Sequence, residues 1–179
     1  MTAMLLSMLA AGAHAADGPS VQATRRGERF DVRAQAELAA PAAVVWEVLT
    51  DYARLPAFVP GLSRSVVRLR EGNRVLLEQS GEARFLLFSL PIQVQLEVTE
   101  WPPDRIESRA IGGNLRRMNG RYELRPGTSR DTVLLLYFAE IVPDFELPRF
   151  LGAVALRSSI EQQFFAMAAE IERRAGAWR

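Results

Sequence analysis

Leu90-Pro91-Ile92-Gln93-Val94-Gln95-Leu96-Glu97-Val98-Thr99 alternates apolar and polar side chains with a period of two. Successive side chains of a strand point to opposite faces, so Leu90, Ile92, Val94, Leu96 and Val98 share one face while Gln93, Gln95, Glu97 and Thr99 share the other. One face is wet and the other is not, which predicts an antiparallel sheet covered on one side only. The same texture runs on in both directions. Short apolar runs over about 63–70, 73–83, 85–99, 105–111, 117–125 and 131–141 are separated by the turn signals Glu71-Gly72-Asn73, Trp101-Pro102-Pro103-Asp104, Gly112-Gly113-Asn114 and Pro126-Gly127. Further upstream, Phe30 to Leu38 alternates in the same way and adds one more half-buried strand, preceded over 16–27 by a polar lead-in that reads as flexible.

Of these about seven strands, helices bracket the last six. Pro41 opens the first, since its missing N–H would have no partner in a first helical turn. Ala42, Val45 and Leu49 then mark an apolar stripe, widened by Trp46 and Val48, that stops near Thr50-Asp51. A second short helical turn covers Tyr52 to Phe58 and ends at Pro60-Gly61. Beyond Pro143 and Pro148 runs one helix of about 26 residues, roughly 40 Å long. Ala153, Leu156, Ile160, Phe164, Met167 and Ile171 lie along a single stripe of it. Strand, two short helices, six strands and a long helix make an α+β domain over 28–179, and the simplest burial lays the long helix across the concave face of one curved sheet.

The composition narrows the chemistry. The 179 residues fit one domain, and 22 basic against 21 acidic side chains leave a net charge of +1, with no sustained basic stripe for nucleic acid. Every basic residue is Arg, there is no Cys, and the only His is His14. A thiolate nucleophile, a Cys-ligated zinc, a Schiff-base lysine and a P-loop lysine are therefore excluded. No cofactor is called for. The segment Met4-Leu5-Leu6-Ser7-Met8-Leu9-Ala10-Ala11, closed by Ala13-His14-Ala15, reads as the apolar core and A-x-A cleavage site of a signal peptide over 1–15, although no positive charge precedes it. At roughly a dozen apolar residues it is short of the ~20 that span a bilayer. Cleavage after Ala15 would remove His14, and with it any imidazole base, and would deliver the protein to the periplasm or the medium.

Two blocks carry a resemblance. Pro41-Ala42-Ala43-Val44-Val45-Trp46-Glu47-Val48-Leu49-Thr50-Asp51-Tyr52, continuing through Leu55, Phe58, Val59, Pro60, Gly61 and Leu62, is the first; Trp101-Pro102-Pro103-Asp104-Arg105-Ile106, followed by Gly113, Met118 and Gly120, is the second. Over about 28–174 the sequence resembles the START-like (SRPBCC) superfamily, in the branch that groups coenzyme Q-binding START domains with polyketide cyclase/dehydrase-like proteins. The resemblance implies a helix-grip fold, in which the curved sheet wraps the C-terminal helix around an apolar cavity, and a ligand that is a lipid, quinone, isoprenoid or polyketide. It carries no catalytic motif onto particular residues.

The candidate ligand contacts follow from phase. Trp46 and Phe58 sit on the helical segments, Leu77 and Gln79 on one strand, and Phe85, Phe88, Leu90, Ile92 and Val94 around the next turn and strand. Met118, Tyr122 and Tyr137 face inward from later strands, and Arg157, Ile160, Phe164 and Met167 belong to the long helix. Ordinary core packing accounts for any one of these apolar groups, but together they describe the lining of an apolar pocket, with Met as its adaptable member. The hydroxyls of Tyr122 and Tyr137 and the amide of Gln79 would orient a ligand, and Arg157 would either meet an anionic head group or run along the helix flank. Arg116-Arg117 would greet such a group at the mouth or form a solvated turn. Phe145, Leu147, Phe150 and Leu151 either cap the core or make a gate that touches a membrane transiently, while Phe165 projects as an exposed apolar contact. Glu170 to Arg174 reads as a solvated helix end. The expected function is an exported carrier or shield for a hydrophobic small molecule. The alternative is a cyclase/dehydratase-like enzyme acting on a polyketide-like or aromatic substrate, which would depend on Glu, Asp, Tyr or Arg; Glu78 and Glu82 both fall out of phase with the inward residues.

Overall fold

A computed structural model of the chain describes residues 18–85, 88–144 and 152–177, with the side chains of 84, 85 and 88 outside that description. The predicted signal segment and the cluster Phe145, Leu147, Phe150 and Leu151 lie outside the described residues. Eight strands, β1 (Ser20–Arg26), β2 (Arg29–Leu38), β3 (Leu62–Glu71), β4 (Arg74–Phe85), β5 (Phe88–Trp101), β6 (Arg105–Gly113), β7 (Leu115–Pro126) and β8 (Val133–Pro143), form one antiparallel sheet in the order β1-β2-β8-β7-β6-β5-β4-β3. The helix α1 (Ala42–Thr50) and a 3-10 helix, Tyr52–Ala57, carry the chain from β2 to β3 at the far edge. The last element is α2 (Gly152–Ala177).

The alternation that predicts the sheet also fixes its core. Phe30, Val32, Ala34, Ala36 and Leu38 of β2 are buried, as are Val133, Leu135, Tyr137, Ala139 and Ile141 of β8, and Val94, Leu96 and Val98 of β5. Against them α2 buries Ile160, Phe164, Met167 and Ile171, the predicted stripe. The Val44, Val45, Val48 and Leu49 face of α1 closes the same core. The result is the helix-grip architecture: a curved antiparallel sheet, a long C-terminal helix, and short helices after the first strands.

The segment read as a flexible lead-in is, from Ser20 on, strand β1. It pairs with β2 through a hairpin closed by Gly27-Glu28, in which Arg26 faces Arg29 and Gly27 has φ 66°. A two-residue hairpin turn needs positive φ, which Gly supplies without a Cβ clash. The strand is hard to see in sequence because only Val21 and Ala23 supply apolar alternation. Phe165 also differs from expectation, since it packs partly buried against the core.

Candidate functional site

Between the concave face of the sheet and α2 lies a cavity of about 290 Å³. Strands supply most of its wall. Leu77 and Gln79 come from β4, Ile92, Val94, Leu96 and Val98 from β5, Ile106 and Ser108 from β6, Met118 and Tyr122 from β7, and Tyr137 and Ile141 from β8. Leu156, Ser159, Ile160, Gln163 and Met167 of α2 form the roof, and Leu49, Tyr52, Leu55 and Val59 close one end. A surface groove shares Gly61, Leu62, Glu82 and Ser159 with the cavity, so the opening lies between the close approach of β3 to β4 and the first half of α2.

Small residues adjoin the tyrosine part of this wall. Ser108 pairs with Gly120, and Gly120 pairs with Ala139, so three small residues stand side by side across β6, β7 and β8. In the next row Ile106, Tyr122 and Tyr137 are paired likewise. The two tyrosine rings lie 4.5 Å apart between centroids and are tilted by 31°. A Cβ on Gly120 would stand 2.7 Å from Ser108 Oγ and 3.6 Å from the Tyr137 hydroxyl, so the missing side chain lets both hydroxyls lean over this point. Burial pushes the Tyr137 hydroxyl up to about 12 and raises Tyr122 as well, with the neighbouring tyrosine adding to the effect on Tyr122. Both therefore stay protonated throughout the physiological range and can donate.

A second polar group sits where the cavity meets the 3-10 helix. The Tyr52 hydroxyl donates to Glu100 Oε1 at 2.8 Å, and Arg70 Nη1 donates to Glu100 Oε2 at 3.0 Å. Burial, followed by the bond to Glu100, raises the Tyr52 pKa. This carboxylate is occupied and serves to fix Tyr52 in the wall. The amide of Gln79 is similarly engaged, donating to Ser65 Oγ at 3.1 Å.

Of the residues singled out from sequence, Leu77, Gln79, Ile92, Val94, Met118, Tyr122, Tyr137, Ile160 and Met167 border the cavity. Trp46 is instead partly buried against the core from α1, because the open side of the sheet is filled there by the helix itself. Phe58 lies beneath the Arg174 guanidinium at 5.5 Å, and Phe164, 2 % exposed, is consumed by core packing. Leu90 is half-buried near the start of β5 and does not border the cavity. Arg157 points to solvent and pairs with Glu161 at 3.9 Å, one helical turn away. Phe85 and Phe88 face each other in register across the β4–β5 turn, and their side chains lie outside the described residues. At the helix end, Arg174 is a buried residue and not a solvated one. Arg116 pairs with Glu28 at 2.7 Å and Arg117 with Glu140 at 3.1 Å, both on the exposed surface.

Sequence reasoning missed Ser108, Ser159, Gln163 and the Tyr52–Glu100 pair. Ser108 was available from its phase with Ile106, and Ser159 and Gln163 flank Ile160 at helical spacing. Glu78 lies on the outer face as expected, bound by Arg64 and Arg68. Glu82 is exposed, yet it borders the opening, where it accepts a bond from Ser89 Oγ at 2.9 Å. Among the described residues no Arg lines the cavity, Glu82 is its only carboxylate, and no group of three or more His, Asp or Glu is placed to hold a metal ion.

A curved sheet gripping a C-terminal helix over an apolar cavity defines a START-like protein. The profile of the family described as polyketide cyclase / dehydrase and lipid transport matches residues 38–167, and the chain belongs to that family. No curated protein matches the chain in sequence. Solved structures share the fold at low identity. A STAR-related lipid transfer protein from Xanthomonas axonopodis is 16 % identical with a TM-score of 0.70, covering 89 % of this chain and 96 % of its own. The Zhui aromatase/cyclase from Streptomyces sp. R1128 is 17 % identical with a TM-score of 0.68, covering 82 % and 95 %. A START superfamily protein from Mycobacterium smegmatis is 16 % identical with a TM-score of 0.67, covering 80 % and 97 %. Lipid-transfer proteins and aromatase/cyclases are thus both among the fold's neighbours.

Proposed function

We propose that this protein binds a hydrophobic small molecule, a lipid, quinone or isoprenoid, inside the sheet-and-helix cavity and carries or shields it, and that it does so after export and cleavage behind Ala15. The observation that supports this reading is the wall of the cavity: apolar side chains interrupted by uncharged hydroxyls and amides. Burial of apolar ligand surface there supplies affinity at about 25 cal/mol per Å² before the costs of association. The enzymatic alternative needs a general acid or base against the substrate. The described cavity offers Glu82 at its rim and tyrosines whose raised pKa values hold their protons, which makes them donors and not bases.

Mass spectrometry of protein purified from the exported fraction, recorded once under native conditions and once after organic extraction, tests both parts. The expected result is an intact mass starting at Ala16 together with a near-stoichiometric lipid, quinone or isoprenoid. A full-length mass would count against export, and an empty protein that no member of a lipid and quinone panel stabilises would count against the carrier.

A further inference from the structure

Three hydroxyls converge on one patch of the cavity wall without a partner. Tyr137 is 9 % exposed, Tyr122 pairs with it in register, and Ser108 lies one row away over Gly120. None of the three hydroxyls has a hydrogen-bond partner among the described residues, although other polar groups in the same wall, Tyr52 and Gln79, have theirs. The three oxygens are open to the cavity, where water meets them in the empty protein, and a ligand that displaces this water without replacing its bonds loses on the order of 1–3 kcal/mol per hydroxyl. Two tyrosines in one row and a serine in the next, all on the cavity wall without a protein partner, suit a ligand that enters it. The protein uses Arg for all of its 22 cationic side chains and places none against the described wall, whereas the rim carries the Glu82 carboxylate. An anionic head group would lose its water there without gaining a counter-charge from the described wall.

Resting on the cavity-binding reading above, we infer that Tyr122, Tyr137 and Ser108 form a subsite for the carbonyl oxygen of an uncharged apolar ligand, a ketone, quinone or ester, and that the cavity rejects carboxylates and phosphates. A carbonyl oxygen brings two lone pairs and no proton, so it suits a site offering several O–H donors. Hydrocarbon with no oxygen would displace the cavity water and leave the three hydroxyls unbonded. This makes the subsite a source of discrimination, because a site built to bond an oxygen penalises the analogue that lacks it.

The test uses three probes of matched length, a linear tridecanone, tridecane and dodecanoate, each displacing the neutral dye Nile red from the full chain at pH 7.5. The wild type should bind the ketone at least about tenfold more tightly than the alkane or the carboxylate. In a Tyr122→Phe/Tyr137→Phe double variant the ketone preference should fall to nearly one, while the alkane affinity and the melting temperature of the unliganded protein hold steady or rise. That last readout separates a ligand subsite from a structural pair, since a structural pair would lower the melting temperature when removed. Equal affinity for all three probes, tightest binding of dodecanoate, or a ketone preference that survives in the double variant would overturn the subsite while leaving cavity binding in place. Failure of the wild type to take up any probe would overturn the cavity-binding reading itself, and the subsite with it.

Discussion

Arg174 is 8 % exposed although it sits near the end of the last helix, where sequence suggests a side chain that merely complements the helix dipole. Its Nε donates to Glu170 Oε1 at 2.7 Å, and its Nη1 reaches Asp51 Oδ2 at 3.0 Å and Glu47 Oε1 at 3.3 Å. The guanidinium also stacks over Phe58, and Nη2 is buried without a hydrogen-bond partner among the described residues. One side chain thus ties α2 to the end of α1 and to the 3-10 helix behind it. Replacing it removes charge-assisted hydrogen bonds to the half-buried Glu170 and Asp51 and to the exposed Glu47, so Arg174→Met should lower the unfolding free energy by about 2 kcal/mol. Arg174→Lys should recover part of this, because a single ammonium cannot repeat the fork. Chemical denaturation of the two variants reads the difference. Glu170 gives the network a pH signature. Hydrogen bonding from Arg173, opposed by burial and then aided by Arg174, lowers its carboxyl from 4.5 to about 2. A depressed folded pKa means stability that is fully present above pH 4.5 and is lost as the pH falls toward 2. Wild-type melting temperature should drop across that window, and Glu170→Gln should drop less within it while starting lower at neutral pH.

The opening of the cavity depends on how two strands approach. Gly61 has φ 79°, its carbonyl accepts a 2.7 Å bond from the Glu82 amide, and a Cβ on Gly81 would lie 2.0 Å from that same oxygen. Backbone meets backbone here, so no flexible side chain can give way. Gly81→Ala should cost about 2 kcal/mol or more and expose the Glu82 amide to hydrogen exchange. Gly72, with φ 57° in open space at the β3–β4 turn, is the control: Gly72→Ala pays only for its backbone conformation, about 1 kcal/mol. The same contrast explains what could be read in advance. Elements with strong periodicity were legible: the β5 alternation, the α2 stripe and the Pro41 start of α1 each appear within a few residues of their expected limits. Strand β1 was not, since its apolar signal is two residues and its support is the hairpin with β2 and packing against α2. The Gly61–Gly81 crossing was illegible for another reason, because the residues meet only after β3 and β4 have paired.

The cavity is a property of the whole assembly of sheet and helix, and phase alone could not reveal it. Strand and helix periodicity suggests which side chains point inward, and of the sixteen residues so chosen nine border the cavity while the side chains of two, Phe85 and Phe88, lie outside the described residues. Whether inward side chains meet depends on their summed volume across strands that are distant in sequence. Here Ser108, Gly120 and Ala139 put three small residues side by side across β6, β7 and β8, and Ser108 borders the space. Interiors are otherwise packed to crystal density, and an apolar void of this kind withholds stabilising contacts from its lining. The protein should therefore be less stable than a filled version of itself, with binding as the compensating gain. Val94 tests this. It lies 7 % exposed in the middle of β5 with its side chain on the cavity, so Val94→Phe projects a ring into about 290 Å³ of space without disturbing the outer face. Thermal denaturation of the unliganded variant should show a gain of about 1 kcal/mol, while affinity for any apolar probe that binds the wild type should fall by about tenfold or more. A variant that is destabilised and still binds normally would mean that the ligand does not occupy the space beside Val94, and would move the site toward the rim at Gly61 and Glu82.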